Sequence, residues 1–159
     1  MSISESWCFS FIDGLFWGAV YTVTMKINPV VHFELPAVDS KRVAEFYTKA
    51  FGWQTNQLGP EMGNYVVVTT AETDEKRMIK EPGRINGGFF KRTKPDQAPS
   101  IVIAVDDIRE GMKKVTEAGG KVLGGQKLGE PDDIPGIGLY CSFIDTEGNT
   151  ISMLQPKGM

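Results

Sequence analysis

Histidine is almost absent from this chain: His32 is the single one among 159 residues. Zinc, iron and nickel sites lean on imidazole, so the chain can supply one such donor, and any metal site must be mostly carboxylate or shared between subunits. Cysteine is scarce as well. Cys8 and Cys141 stand far apart and form neither a C-x-x-C pair nor a disulfide framework, which fits a reducing cytoplasm. Positive charge is not in excess. A formal net charge of −3 leaves no electrostatic footprint for nucleic acid, so no such partner is expected. No apolar run spans a bilayer: the stretch from Phe9 to Val23 is broken by Asp13 and falls short of the roughly 20 residues needed. No Lys or Arg precedes it, as a secretory signal would require. Residues 1–24 are therefore expected to be an extension outside the fold, with an interfacial anchor or partner-binding segment as the alternatives. P-loop, nucleophile-elbow and Rossmann glycine patterns are all missing.

What is present is an ordinary globular composition, 41% hydrophobic and 23% charged, in a chain long enough to bury roughly 70% of its unfolded surface as one domain. That domain is expected over 25–159. Val30 to Leu35 reads as a strand, ended by Pro36. Asp39 and Ser40 then cap a helix with Val43, Phe46, Tyr47 and Ala50 as its apolar stripe, stopped by Gly52. Strands are expected at 65–70, 77–80 and 85–91. The same words return in the second half: a strand from Ser100 to Val105, a helix from Asp106-Asp107 to Ala118, and a stop at Gly119-Gly120. A short strand is expected between Lys121 and Leu128. Strands 140–144 and 150–154 flank the turn Asp145-Thr146-Glu147-Gly148-Asn149. Asp132-Asp133-Ile134-Pro135-Gly136 reads as a turn-rich loop.

Sliding the chain so that His32 falls on Ser100 also puts Asp39 on Asp107, Ala50 on Ala118 and Gly52 on Gly120. Such a match indicates an internal duplication, with one module over about 28–92 and the other over about 99–157. The segments His32-Phe33-Glu34-Leu35-Pro36, Ala44-Glu45-Phe46-Tyr47, Phe51-Gly52-Trp53, Val105-Asp106-Asp107-Ile108, Ala118-Gly119-Gly120-Lys121-Val122, Ile134-Pro135-Gly136-Ile137-Gly138 and Phe143-Ile144-Asp145-Thr146-Glu147-Gly148-Asn149 stand in this order. Together they resemble the vicinal oxygen chelate superfamily, which includes glyoxalases, bleomycin-resistance proteins and extradiol dioxygenases. Within it, the chain is most similar to bacterial proteins described as related to lactoylglutathione lyase. The resemblance implies an α+β fold: two tandem βαβββ modules whose mixed sheet curves around a cavity, with helices outside. It leaves open whether the modules pair within one chain or across a homodimer.

Metal-dependent members carry ligands on the first and last strand of each module. By resemblance those positions are His32, Gly88, Ser100 and Ser152, so three of four lack a good donor. A divalent cation is therefore not expected, with His32 and Glu34 left as a weak pair if one binds. Without metal, His32 and Glu34 are the catalytic candidates, an acid–base pair two residues apart on one strand face. Tyr65, Phe89, Ser100, Tyr140, Phe143 and Ser152 are the ligand-binding candidates. Strand alternation sends only about half of the aromatic ones inward. The expected function is a glyoxalase-like enzyme or binding protein for a small organic molecule, with His32 at the polar end of an apolar cavity. The alternative is a metal-free sequestering protein of the drug-resistance type. Turnover, if any, would be of lyase, isomerase or oxygenase type by resemblance alone.

Overall fold

The computed structural model describes residues 26–75 and 79–158, and the proposed extension over 1–24 lies outside them. The chain is α+β. Its first repeat runs β1 (Val30–Ala37), α1 (Ser40–Phe51), β2 (Gln54–Gln57), β3 (Val66–Thr69) and β4 (Asn86–Lys91). The second runs β5 (Ser100–Ala104), α2 (Ile108–Glu117), β6 (Lys121–Gly124), β7 (Asp132–Ile134), β8 (Gly138–Ile144) and β9 (Thr150–Pro156). The nine strands of the described residues share one mixed sheet, ordered β2-β3-β4-β1-β5-β9-β8-β6, with β7 paired to β8. The repeats meet where β1 and β5 pair antiparallel, Glu34 opposite Ser100 and Phe33 opposite Ile101.

Register confirms the duplication more sharply than sequence spacing does. In the first repeat Glu34 on β1 lies beside Gly88 on parallel β4; in the second, Val102 on β5 lies beside Ser152 on parallel β9. The shift that carries His32 onto Ser100 also carries Glu34 onto Val102. Both helices begin on an aspartate. Asp39 accepts from the Arg42 N–H, and Asp107 from the Arg109 and Glu110 N–H groups, satisfying donors that a first helical turn leaves free. The stops differ by one residue. Gly52 takes the left-handed conformation after α1, whereas Gly119, not Gly120, does so after α2, because α2 is the shorter helix.

Each helix covers its own core, and both lie on the same face of the sheet. Phe33 and Leu35 of β1 with Val66, Val68 and Phe89 pack against Val43, Ala44 and Tyr47 of α1. Val105, Cys141 and Met153 pack with Ile108, Met112 and Val115 of α2. The α1 stripe is rotated from the expected one: Phe46 and Ala50 are exposed, and Ala44 turns inward instead. An open apolar groove of about 580 Å³ is lined in part by Phe33, Leu35, Trp53, Ile101 and Ile151.

Three expected elements differ. The strand after α1 is Gln54–Gln57, whose polar residues hid it; it exists because its backbone pairs with the apolar β3. At 77–80, residues 77 and 78 lie outside the described set, and Ile79 makes an isolated bridge to Thr73. The loop at Asp132 begins as a short strand, Asp132 opposite Tyr140 on β8. Among the described residues no helix is long and apolar enough to cross a membrane.

Candidate functional site

Strand alternation splits the candidates between the two faces. On β1, Phe33, Leu35 and Ala37 enter the core under α1, so His32 and Glu34 project from the opposite, helix-free face. The Leu58 N–H donates to the Tyr65 carbonyl, which extends the β2–β3 ladder by one step. Tyr65 thereby points away from core residue Val66. On β8, Cys141 lies in the core under α2, which sends Tyr140 and Ser142 to the helix-free face. Ser152 follows, being opposite Ser142 and flanked by core residue Met153. Phe89 and Phe143, expected to line the ligand site, are placed elsewhere: each packs in the core under its own helix. Trp53 stacks on Tyr47 with ring centroids 4.4 Å apart.

The face so defined carries two hydrogen-bonded groups of polar side chains. His32 Nε2 lies 2.8 Å from Tyr65 Oη. The phenol is the stronger donor of the two, which makes Nε2 the acceptor and puts the imidazole proton on Nδ1. Tyr140 Oη donates to Glu34 Oε2 at 3.0 Å and lies 2.6 Å from Ser152 Oγ. Ser142 Oγ stands 3.4 Å from Ser152 Oγ. These bonds cross several strands: β3 to β1 is two spacings and β1 to β8 three, about 10 and 14 Å in a flat sheet. Long side chains on a sheet curled toward this face close those gaps. Ser100 stays apart, its hydroxyl donating to the Thr150 carbonyl at 2.9 Å. Ser142 was not foreseen, although the alternation of Tyr140-Cys141-Ser142 carries the signal.

Gly88 explains how Tyr65 reaches His32. A Cβ at position 88 would collide with the Tyr65 Oη, Cζ and Cε1 atoms, so the phenol lies directly over this glycine, crossing β4 to β1. Burial sets the electrostatics. It pushes the Glu34 carboxyl above its ordinary value, partly offset by the Tyr140 hydrogen bond, and pulls the His32 imidazole below its own. Burial also raises both phenols, with the Glu34 charge adding to each; Tyr140 is pushed up to about 12. At neutral pH the imidazole is uncharged and both phenols are protonated donors. All four side chains stay half-buried rather than sealed.

The four positions that hold a cation in metal-dependent relatives do not fit one here. His32 Nε2 is bonded to Tyr65, Gly88 has no donor and its space holds a phenol, and Ser100 and Ser152 are weak ligands engaged elsewhere. Among the described residues no three His, Cys, Asp or Glu side chains gather to hold a metal ion.

Two β-α-β repeats stand edge to edge in one sheet, the second with one strand more than the first, and ionisable side chains lie on the uncovered face. The description "Bleomycin resistance protein-like N-terminal" belongs to a family model that matches residues 30–71. A glyoxylase-like domain-containing protein of Didymella fabae is 32% identical over 130 residues, 79% of this chain and 91% of that protein. Among solved structures, methylmalonyl-CoA epimerase of Streptomyces coelicolor, in complex with 2-nitronate-propionyl-CoA, superimposes with a TM-score of 0.60 at 13% identity, covering 84% of this chain and all of that one. A hypothetical protein of Bacillus halodurans C-125 gives a TM-score of 0.58 at 15% identity, over 84% of this chain and 98% of its own. The chain belongs to the vicinal oxygen chelate superfamily.

Proposed function

We propose that the helix-free face binds a small organic molecule bearing a carbonyl or carboxyl oxygen and moves a proton on it. Glu34 is the proton acceptor in this reading, and the neutral His32–Tyr65 pair is the donor on the other side. The observation that carries it is that His32, Glu34, Tyr65 and Tyr140, drawn from both repeats, stand half-buried on one face as two hydrogen-bonded pairs. A carboxyl whose proton affinity is raised by burial is better matched to proton abstraction near neutral pH than an exposed one. Proton transfer in this reading needs only the side chains of this face.

The solved neighbours that handle methylmalonyl-CoA suggest the first probes: methylmalonyl-CoA and simple 2-oxo acids, with exchange of the carbon-bound proton for deuterium followed by NMR. The wild-type chain should catalyse exchange of at least one of them. Glu34→Gln should slow it by a factor on the order of 10² to 10⁴ with the fold retained. Exchange at the wild-type rate in that variant refutes the assignment. A second reading, a metal-free sequestering protein, draws support from the way the polar atoms pair with one another: among the described residues no buried side-chain nitrogen or oxygen lacks a partner. Ligand-dependent thermal stabilisation with no exchange for any probe would select it.

A further inference from the structure

Tyr65 and Tyr140 occupy the same position in the two repeats. Tyr65 stands two residues before Val67, the β3 residue opposite Gly88; Tyr140 stands two residues before Ser142, the β8 residue opposite Ser152. Gly88 and Ser152 are themselves equivalent, each lying beside the matching residue of the repeat's first strand, Glu34 and Val102. The duplication thus delivers two phenols from opposite flanks. Both are used on one strand: Tyr65 bonds His32 and Tyr140 bonds Glu34, whereas the β5 counterparts Ser100 and Val102 bond neither. His32 and Glu34 are two residues apart on β1, so their Cα atoms are about 7 Å from each other. Two hydroxyls anchored to neighbouring side chains on one strand face can address one ligand oxygen, or the two oxygens of a carboxylate.

We propose that Tyr65 and Tyr140 form a paired O–H donor site for an oxyanion, and that the proton released as the ligand becomes anionic passes to Glu34. This rests on the reading of the helix-free face as a ligand site. The ligand's O–H or C–H bond breaks, its electron pair stays on the ligand, and the charge settles on the oxygen between the phenols. The new bond is O–H on the Glu34 carboxylate, so charge is conserved. An oxyanion is a stronger acceptor than the neutral imidazole, so the Tyr65 O–H turns from His32 Nε2 to the ligand oxygen. Proton arrival on Glu34 frees Tyr140 as well. A neutral carboxyl is a weaker acceptor than a carboxylate, so the Tyr140 hydroxyl can turn to the ligand oxygen. Ser152 Oγ, 2.6 Å away, then donates to Tyr140 Oη and strengthens it as a donor. Both phenols are held well above the ordinary phenol range by burial, so they donate rather than ionise at neutral pH.

The test uses 4-nitrophenol on the full-length protein at neutral pH, read by the visible absorbance of its phenolate. The expected result is saturable binding with the probe ionised. Tyr65→Phe and Tyr140→Phe should each weaken it about tenfold, the effect of losing one hydrogen bond to a charged group. Glu34→Gln, which removes the competing carboxylate charge, should bind the phenolate more tightly. The unmutated protein supplies a check that no folding defect can mimic: 4-nitroanisole, the same ring without an ionisable oxygen, should fail to compete. Binding of neutral nitrophenol, no binding, or unchanged affinity in both tyrosine variants overturns the proposal. Loss of deuterium exchange in Glu34→Gln with unchanged probe affinity in the tyrosine variants would retire the phenol pair alone. Ionised probe held by the phenols, with no exchange of any substrate, would retire the catalytic reading alone.

Discussion

Gly88 is read in the sequence as a lost ligand position, and in the structure it is the floor on which the Tyr65 ring lies. A methyl group there meets the far end of a side chain that can swing away, so Gly88→Ala should expel Tyr65 from His32 rather than unfold the sheet. The expected cost is about 1 to 2 kcal/mol, one buried hydrogen bond plus local overpacking, measured by urea denaturation. In a Tyr65→Ala background most of that cost should vanish, because the colliding group is gone. His32, Glu34, Tyr65, Tyr140 and Ser152 were legible as candidates from strand alternation and family resemblance. Their pairing was not. The bonds cross two or three strands and depend on sheet curl, which no spacing along the chain encodes. Phe89 and Phe143 show the opposite failure: an aromatic on a strand next to the site reads the same whichever face it takes, and only register decides.

The elements were legible wherever a local signal exists. Asp39 and Asp107 as caps, and glycine stops after both helices, follow from unsatisfied backbone groups at helix ends. β2 carried no such signal, since Gln54–Gln57 is polar and owes its strand to the partner it pairs with. The two caps are not equal. Asp107 receives two backbone N–H groups and Asp39 one, so Asp107→Ala should destabilise the protein by about 1 to 2 kcal/mol and Asp39→Ala by about half as much. Chemical denaturation of the two variants side by side checks the order; equal losses would mean that the extra N–H contributes nothing.

For the molecule as a whole, the duplication read from spacing reappears as matching register in both repeats, and the α+β architecture is that of the superfamily. The site itself is not duplicated: β1 carries the imidazole and the carboxyl, and β5 carries Ser100 and Val102 in their places. With the donor positions so occupied, the midpoint of thermal unfolding should not move when EDTA is added, nor rise with manganese, nickel or zinc concentration, as it would for an ion bound to the native state. A concentration-dependent rise would reveal a ligand set drawn from elsewhere.

The two hydrogen-bonded pairs differ in when they can form. Tyr65 and His32 are 33 residues apart within one repeat, whereas Tyr140 and Glu34 are 106 apart and belong to different repeats. Contacts that close long loops come late, after their entropy has been offset by docking. A chain emerging from synthesis can therefore close its imidazole–phenol pair within the first repeat, whereas its carboxyl–phenol pair has to wait until both repeats have joined.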